Sequence, residues 1–168
     1  MSARPPSAST FVRLTPTQVL VMEHIAAGAT NSEAAAALGL KQGTLEGHLR
    51  QIGNKTGVSS RPARVHAALN TGQAKPPSAP QERPDFSPDE LLLLYAVAMR
   101  SSREEIATAA GGLPQSTVHP RIRNLVKKAG AKDAAHLIGL AHAWELLGSG
   151  PDRTTHADSA STGSGGRR

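Results

Sequence analysis

The sequence predicts an all-α protein made of two small helical domains in tandem, joined by a proline-rich linker and flanked by disordered termini. Apolar residues recur at helical spacing. Aromatic residues are confined to Phe11, Phe86, Tyr95 and Trp144, so any core must be built from Ala, Leu, Val and Ile, which small helical domains tolerate best. Finally, one set of helix-start and helix-stop signals occurs twice, some seventy residues apart. With 168 residues and 38% apolar content the chain has material for two small cores. It has no cysteine, hence no disulfide framework and no thiolate metal site, and no apolar run near the roughly 20 residues that span a bilayer. No secretory leader is recognisable, so a cytoplasmic location, with no membrane, is the expectation.

Taken in order, residues 1–10 are small, polar and proline-containing and are expected to be disordered. Thr15-Pro16-Thr17-Gln18 is a capping box with proline in the first turn, predicting a helix that ends near Gly28 and turns Val21, Met22 and Ile25 into a core. A second box, Thr30-x-x-Glu33, starts a helix that runs through alanines to Leu38 and stops at Gly39. A longer helix follows over about Gln42 to Thr56. It turns Leu45, Leu49 and Ile52 inward, sets Glu46, Gly47 and Arg50 on the opposite face, and stops at Gly57. A short fourth helix opens near Ser59 or Ser60 and reaches about Asn70. A short helix, a tight turn and a longer helix carrying Arg50 and Lys55 outward have the layout of a helix-turn-helix. The first domain is therefore placed at residues 11–70.

Residues 71–85 hold four prolines and almost no apolar side chains, which reads as a semi-extended linker. The pattern then restarts over residues 86–148. Ser87-Pro88-Asp89-Glu90 and Ser102-x-x-Glu105 match the two earlier boxes at an offset of 72 residues. Past Gly111-Gly112 the offset becomes 73, pairing Thr117 with Thr44, Arg123 with Arg50, Lys128 with Lys55 and Gly130 with Gly57. This agreement predicts an internal duplication. In the second copy Pro120 falls inside the third helix, so that helix either starts late, near Ser116, or is kinked. Its last helix is predicted longer, from about Asp133 to Leu147, and residues 149–168 form a disordered tail.

Leu14-Thr15-Pro16, Ile25-Ala26-Ala27-Gly28, Asn31-Ser32-Glu33-Ala34-Ala35, Leu38-Gly39-Leu40, Gly43-Thr44-Leu45, His48-Leu49-Arg50 and Gly57-Val58-Ser59-Ser60-Arg61 resemble the LuxR-type helix-turn-helix domain of bacterial transcription regulators. The resemblance covers residues 14–69; the second copy is similar but more distant. It implies a four-helix domain whose third helix enters the major groove and whose fourth often mediates dimerisation. Both copies depart from the family where Lys41 and Pro114 replace a capping Ser or Thr. The family's base-reading positions fall on Glu46, Gly47 and Arg50 in copy one, and the first of them on His119 in copy two. Arg50 is the residue expected to contact guanine in bidentate fashion, and Glu46 can accept from a cytosine amine. The DNA-binding residues implied are Lys41, Thr44, Glu46, Gly47, Arg50, Lys55 and Arg61, and in copy two Thr117, His119, Arg121, Arg123 and Lys127.

The net charge of +6 suits a polyanionic partner, although copy one carries net +3 and copy two only +1. Val19, Leu20, Leu91 and Leu92 stand where the family has charged residues. With the stripe Leu137, Leu140, Ala141, Trp144 and Leu147, they are candidates for an interface, either between the copies or in a homodimer. No histidine cluster has ligand spacing, no Ser/His/Asp set is present and no phosphate loop occurs, so neither an enzyme nor a metal or cofactor is expected. The expected function is a sequence-specific regulator of transcription that binds double-stranded DNA, without a receiver or ligand-binding domain of its own. The alternative is a protein-interaction module that binds RNA polymerase, a sigma factor or another regulator.

Overall fold

A computed structural model describes residues 13–147; the segments 1–12 and 148–168, and with them the expected disordered termini and Phe11, lie outside the described residues. Among the described residues the structure consists of eight α-helices and one 3-10 turn, with no strand. The first group is α1 (Pro16–Ala26), α2 (Asn31–Leu38), α3 (Gln42–Thr56) and α4 (Arg61–Asn70). The second is α5 (Pro88–Met99), α6 (Arg103–Ala109), the 3-10 turn Gln115–Thr117, α7 (Val118–Ala129) and α8 (Ala134–Ala143).

Local chemistry sets most of these boundaries. Thr15, Thr30, Ser87 and Ser102 each cap a helix through a complete capping box, closed by Gln18, Glu33, Glu90 and Glu105 respectively. Gly39, Gly57 and Gly130 end α2, α3 and α7 in the left-handed conformation that costs a glycine least. Pro120 lies in the first turn of α7, where no intrahelical amide is needed, because the preceding residues form a 3-10 turn. The late-start alternative therefore describes this helix. The expectation for the last helix needs correction, since α8 stops at Ala143 rather than Leu147. Glu145 there takes φ 62°, and the Leu146 amide donates back to the Ala141 carbonyl at 2.8 Å, a reversal that ends the helix.

Within each group the first three helices pack on one another, and α4 also packs on α1. The largest contact in the protein lies between the groups, where α4 meets α8; α8 also packs on α1, and α5 on α4. One continuous core results, including Met22, Ile25, Leu45 and Ile52 from the first group and Leu94, Leu125, Leu137 and Ile138 from the second. Close approach is possible because Gly139 faces the end of α1. A Cβ there would run into the Ala26 carbonyl oxygen and lie 3.2 Å from the Ala26 Cβ. At the same seam His66 Nδ1 and His142 Nε2 are 2.9 Å apart.

The proline-rich segment between the groups is strapped along the protein. Ala74 is buried, the Leu14 amide donates to Gln73 Oε1 (2.5 Å), and the Lys75 amide donates to Glu23 Oε2 (2.9 Å). Further along, the Trp144 indole N–H donates to the Pro80 carbonyl at 2.9 Å. Its sequence left the placement of the two groups open; these contacts and the α4–α8 packing decide it.

Candidate nucleic-acid interface

The α2–turn–α3 unit is built from opposed demands on its two faces. Ala34 and Ala35 of α2 and Leu45, Leu49 and Ile52 of α3 are buried, and the Leu40 amide donates to the Ala35 carbonyl (2.8 Å) across the turn at Gly39. Small alanines let α2 cross close to α3, while the leucines anchor α3 to α1. What remains outside is the ridge Gly43, Gly47, Arg50 and Asn54, at successive helical turns, with Glu46 beside it.

Two features of this ridge point outward. A Cβ added at Gly43 or Gly47 would meet nothing within 4 Å, so neither glycine is required by packing inside the protein. Glycine inside a helix costs roughly 1 kcal/mol relative to alanine, and here the cost leaves bare backbone next to Arg50 for something outside to approach. Gly53 differs, since a Cβ there would press at 3.0 Å on the Arg64 guanidinium. Arg50 itself is exposed and has no hydrogen bond or ion pair among the described residues. Glu46 accepts from the Gln42 amide at 3.3 Å, and Gln42 Oε1 in turn accepts from Ser32 Oγ at 2.9 Å, which holds the carboxylate along the helix. Lys41 and Thr44 are exposed at the start of α3, and no side chain caps that helix.

Two of the basic residues singled out in the first group are occupied elsewhere. Lys55 donates to Gln18 Oε1 (2.8 Å) and to the Arg13 carbonyl (3.4 Å), and Gln18 is only 1% exposed. Arg61 donates to Asn31 Oδ1 (2.6 Å) and to the Ala29 carbonyl (3.0 Å), joining the starts of α2 and α4. Burial lowers the pKa of the Arg61 guanidinium, and nearby Asp133 partly offsets the effect. Both cations therefore act first as internal ties. Lys128 makes the same tie as Lys55 in the second group, reaching Glu90 Oε1 at 2.7 Å while its ammonium lies 5.4 Å from the Phe86 ring centre.

On α7 the buried side is Val118, Leu125 and Ala129, and the exposed side carries His119, Arg123, Asn124 and Lys127. Arg123 and Lys127 lie on its outer ridge, one turn apart, and have no ion pair among the described residues. Arg121 is displaced toward a cleft of about 350 Å³ that it shares with Asp89 and Glu90. Thr117 is half-buried and donates to the Pro114 carbonyl at 2.8 Å. A second, more open cleft of about 700 Å³ separates Arg50 and Asn54 of α3 from Glu105 of α6 and its capping residue Ser102.

The candidate interface residues divide sharply. Leu137, Leu140, Ala141 and Leu147 are buried within the single chain, and Trp144 is half-buried 6.3 Å from Phe86. The stripe is thus taken up inside the chain, with Trp144 beside Phe86 of its own group, and its buried side chains are not offered to a second copy. Val19 packs on the core, whereas Leu20 (45% exposed) and Leu91 and Leu92 (38% and 44%) face outward with Tyr95 and Met99. Residues missed in the sequence are Gly43 and Asn54, legible as i−7 and i+4 from Arg50, and the His66–His142 pair, for which no local signal exists. Among the described residues no helix is long and apolar enough to cross a membrane, and no group of three or more His, Asp or Glu residues is placed to hold a metal ion.

Comparison with known proteins places the first group. Residues 12–68 match the family described as bacterial regulatory proteins, luxR family. The match supports a DNA-binding regulator of transcription; it does not extend to the second group. No curated protein and no solved structure matches the chain.

Proposed function

We propose that the protein is a sequence-specific regulator of transcription that binds double-stranded DNA, with the outer ridge of α3 as its principal reader. The carrying observation is the exposed, unpaired Arg50 one turn beyond Gly47, which like Gly43 before it is a glycine that no internal contact requires. An arginine in that setting can reach a guanine edge in the major groove while the backbone at Gly43 and Gly47 approaches the duplex closely. The second group is a diverged copy of the first. Equivalent lysines, Lys55 and Lys128, bind the equivalent capping residues Gln18 and Glu90, an internal correspondence that extends the matched caps. Arg123 and Lys127 supply its cationic ridge. Capture of fragmented genomic DNA by the wild type and by Arg50→Ala, with sequencing of what is retained, tests the reading. The wild type should enrich sites that share a motif and the variant should lose them. No enrichment by the wild type overturns it.

One observation favours a second reading, a module that binds RNA polymerase, a sigma factor or another regulator. Leu91, Tyr95 and Met99 form an exposed apolar line along α5. Salt separates the two. DNA binding through several cations weakens steeply as salt rises, whereas association through an apolar helix face does not.

A further inference from the structure

The two helical groups contact each other reciprocally. Helix α1 packs on α8, and its counterpart α5 packs on α4; between them α4 packs on α8, each the fourth helix of its group. The smaller contacts follow the same rule. Amides of Ser59 and Ser60 donate to Ser101 Oγ at 3.1 and 3.3 Å. The counterparts of Ser59 and Ser101 are Lys132 and Ala29, and Lys132 does come against the neighbouring Gly28, where a Cβ would lie 3.0 Å from its side chain. Contacts exchanged in this way are the signature of an approximate two-fold axis. A head-to-tail arrangement would leave one member of each pair of surfaces free.

We infer that a single chain is the complete DNA-binding unit and occupies a site of two unlike arms in inverted orientation, α3 reading one arm and α7 the other. This rests on the DNA-reading function proposed above. A two-fold axis through the α4–α8 crossing relates the two readers, so the sequences they meet on opposite strands run in opposite directions. The arms are unlike because the ridges are: Gly47, Arg50 and Glu46 on α3 correspond to Pro120, Arg123 and His119 on α7. No second chain is needed to complete the pair, because α4 and α8, the fourth helices of the two groups, already pack on each other within the chain. The seam is also packed through Gly139 against backbone, so the separation of the readers is single-valued and the spacing of the arms is fixed.

Selection of binding sites by the full chain from a pool of random-sequence duplexes tests this, followed by measurement of the mass of the complex on the selected duplex. The expected result is two arms, inverted and unlike, with one chain per duplex. Arg50→Ala should relax base preference in one arm and Arg123→Ala in the other. Inserting five base pairs, about half a helical turn, between the arms should weaken binding about tenfold or more. Two chains per duplex, a single arm, arms in direct orientation, or loss of the same bases in both variants would overturn the inference and leave the DNA-reading function standing. Selection of no sequence by the wild type would overturn both.

Discussion

Acidification should loosen the seam between the helical groups before it affects the rest of the fold, and the histidine pair sets the size of the effect. His66 Nδ1 and His142 Nε2 approach to 2.9 Å with ring centres 5.0 Å apart, a geometry that needs one ring nitrogen to donate and the other to accept. Burial lowers the pKa of both, and for His142 burial together with the neighbouring His66 brings it down to about 4. An unfolded histidine titrates near 6.5, so between that pH and about 4 the unfolded chain binds the extra proton. Stability is then fully present above about pH 6.5 and is lost as pH falls toward 4. Linkage gives about 2 kcal/mol for His142 alone between pH 7 and pH 5, or about 1 kcal/mol once the ring's remaining contact with water is allowed for. Burial lowers the pKa of His136 too, which contributes with the same sign and leaves a residual slope. Urea unfolding followed by circular dichroism, at pH values from 7 to 5, should show wild-type stability falling by this amount and His142→Leu falling by clearly less. Parallel losses in the two proteins would show that His142 is not held neutral at the seam.

Other outcomes can be checked on the same material. Gly47→Ala should raise stability by about 0.5–1 kcal/mol in urea unfolding, since open space surrounds the position, while weakening capture of specific DNA; unchanged DNA capture would remove Gly47 from the interface. Gly139→Ala gains the same helix propensity but drives a methyl into the Ala26 backbone, and a net loss of about 1–2 kcal/mol is expected from its unfolding midpoint. Lys55→Ala should cost about 0.5–1 kcal/mol of stability by removing one of the two donors to the buried Gln18 amide oxygen, which keeps the Thr15 amide; a variant of wild-type stability with uniformly weaker DNA binding would make Lys55 a phosphate contact instead.

How much of this was legible in the sequence follows from the range of the forces involved. Capping boxes, glycine stops and the apolar faces of the helices are settled within a few residues of each other, and the Thr15, Thr30, Ser87 and Ser102 caps form where the sequence places them. The outward direction of Arg50 follows from the inward direction of Leu45, Leu49 and Ile52 by helical geometry alone. The end of the last helix was misjudged because its apolar pattern runs on to Leu147, while the chain reverses at Glu145 and still buries Leu147 in the core.

Which cations are free to meet a partner was beyond the sequence. Arg50 and Lys55 are alike in spacing and charge, yet one ends in solvent and the other on Gln18, thirty-seven residues away. The same holds for the stripe on the last helix, whose apolar character is plain but whose partner is not. Only tertiary packing could set this helix against α1 and α4, because a hydrophobic surface is satisfied equally by any apolar neighbour and the one it meets depends on where the strap from Thr71 to Ser87 leads the chain. Sequence alone determined where most helices start and stop and which side of α3 and α7 faces out. The tertiary structure decided that the groups share one core, through small residues and a histidine pair that carry no signal until their distant neighbours arrive.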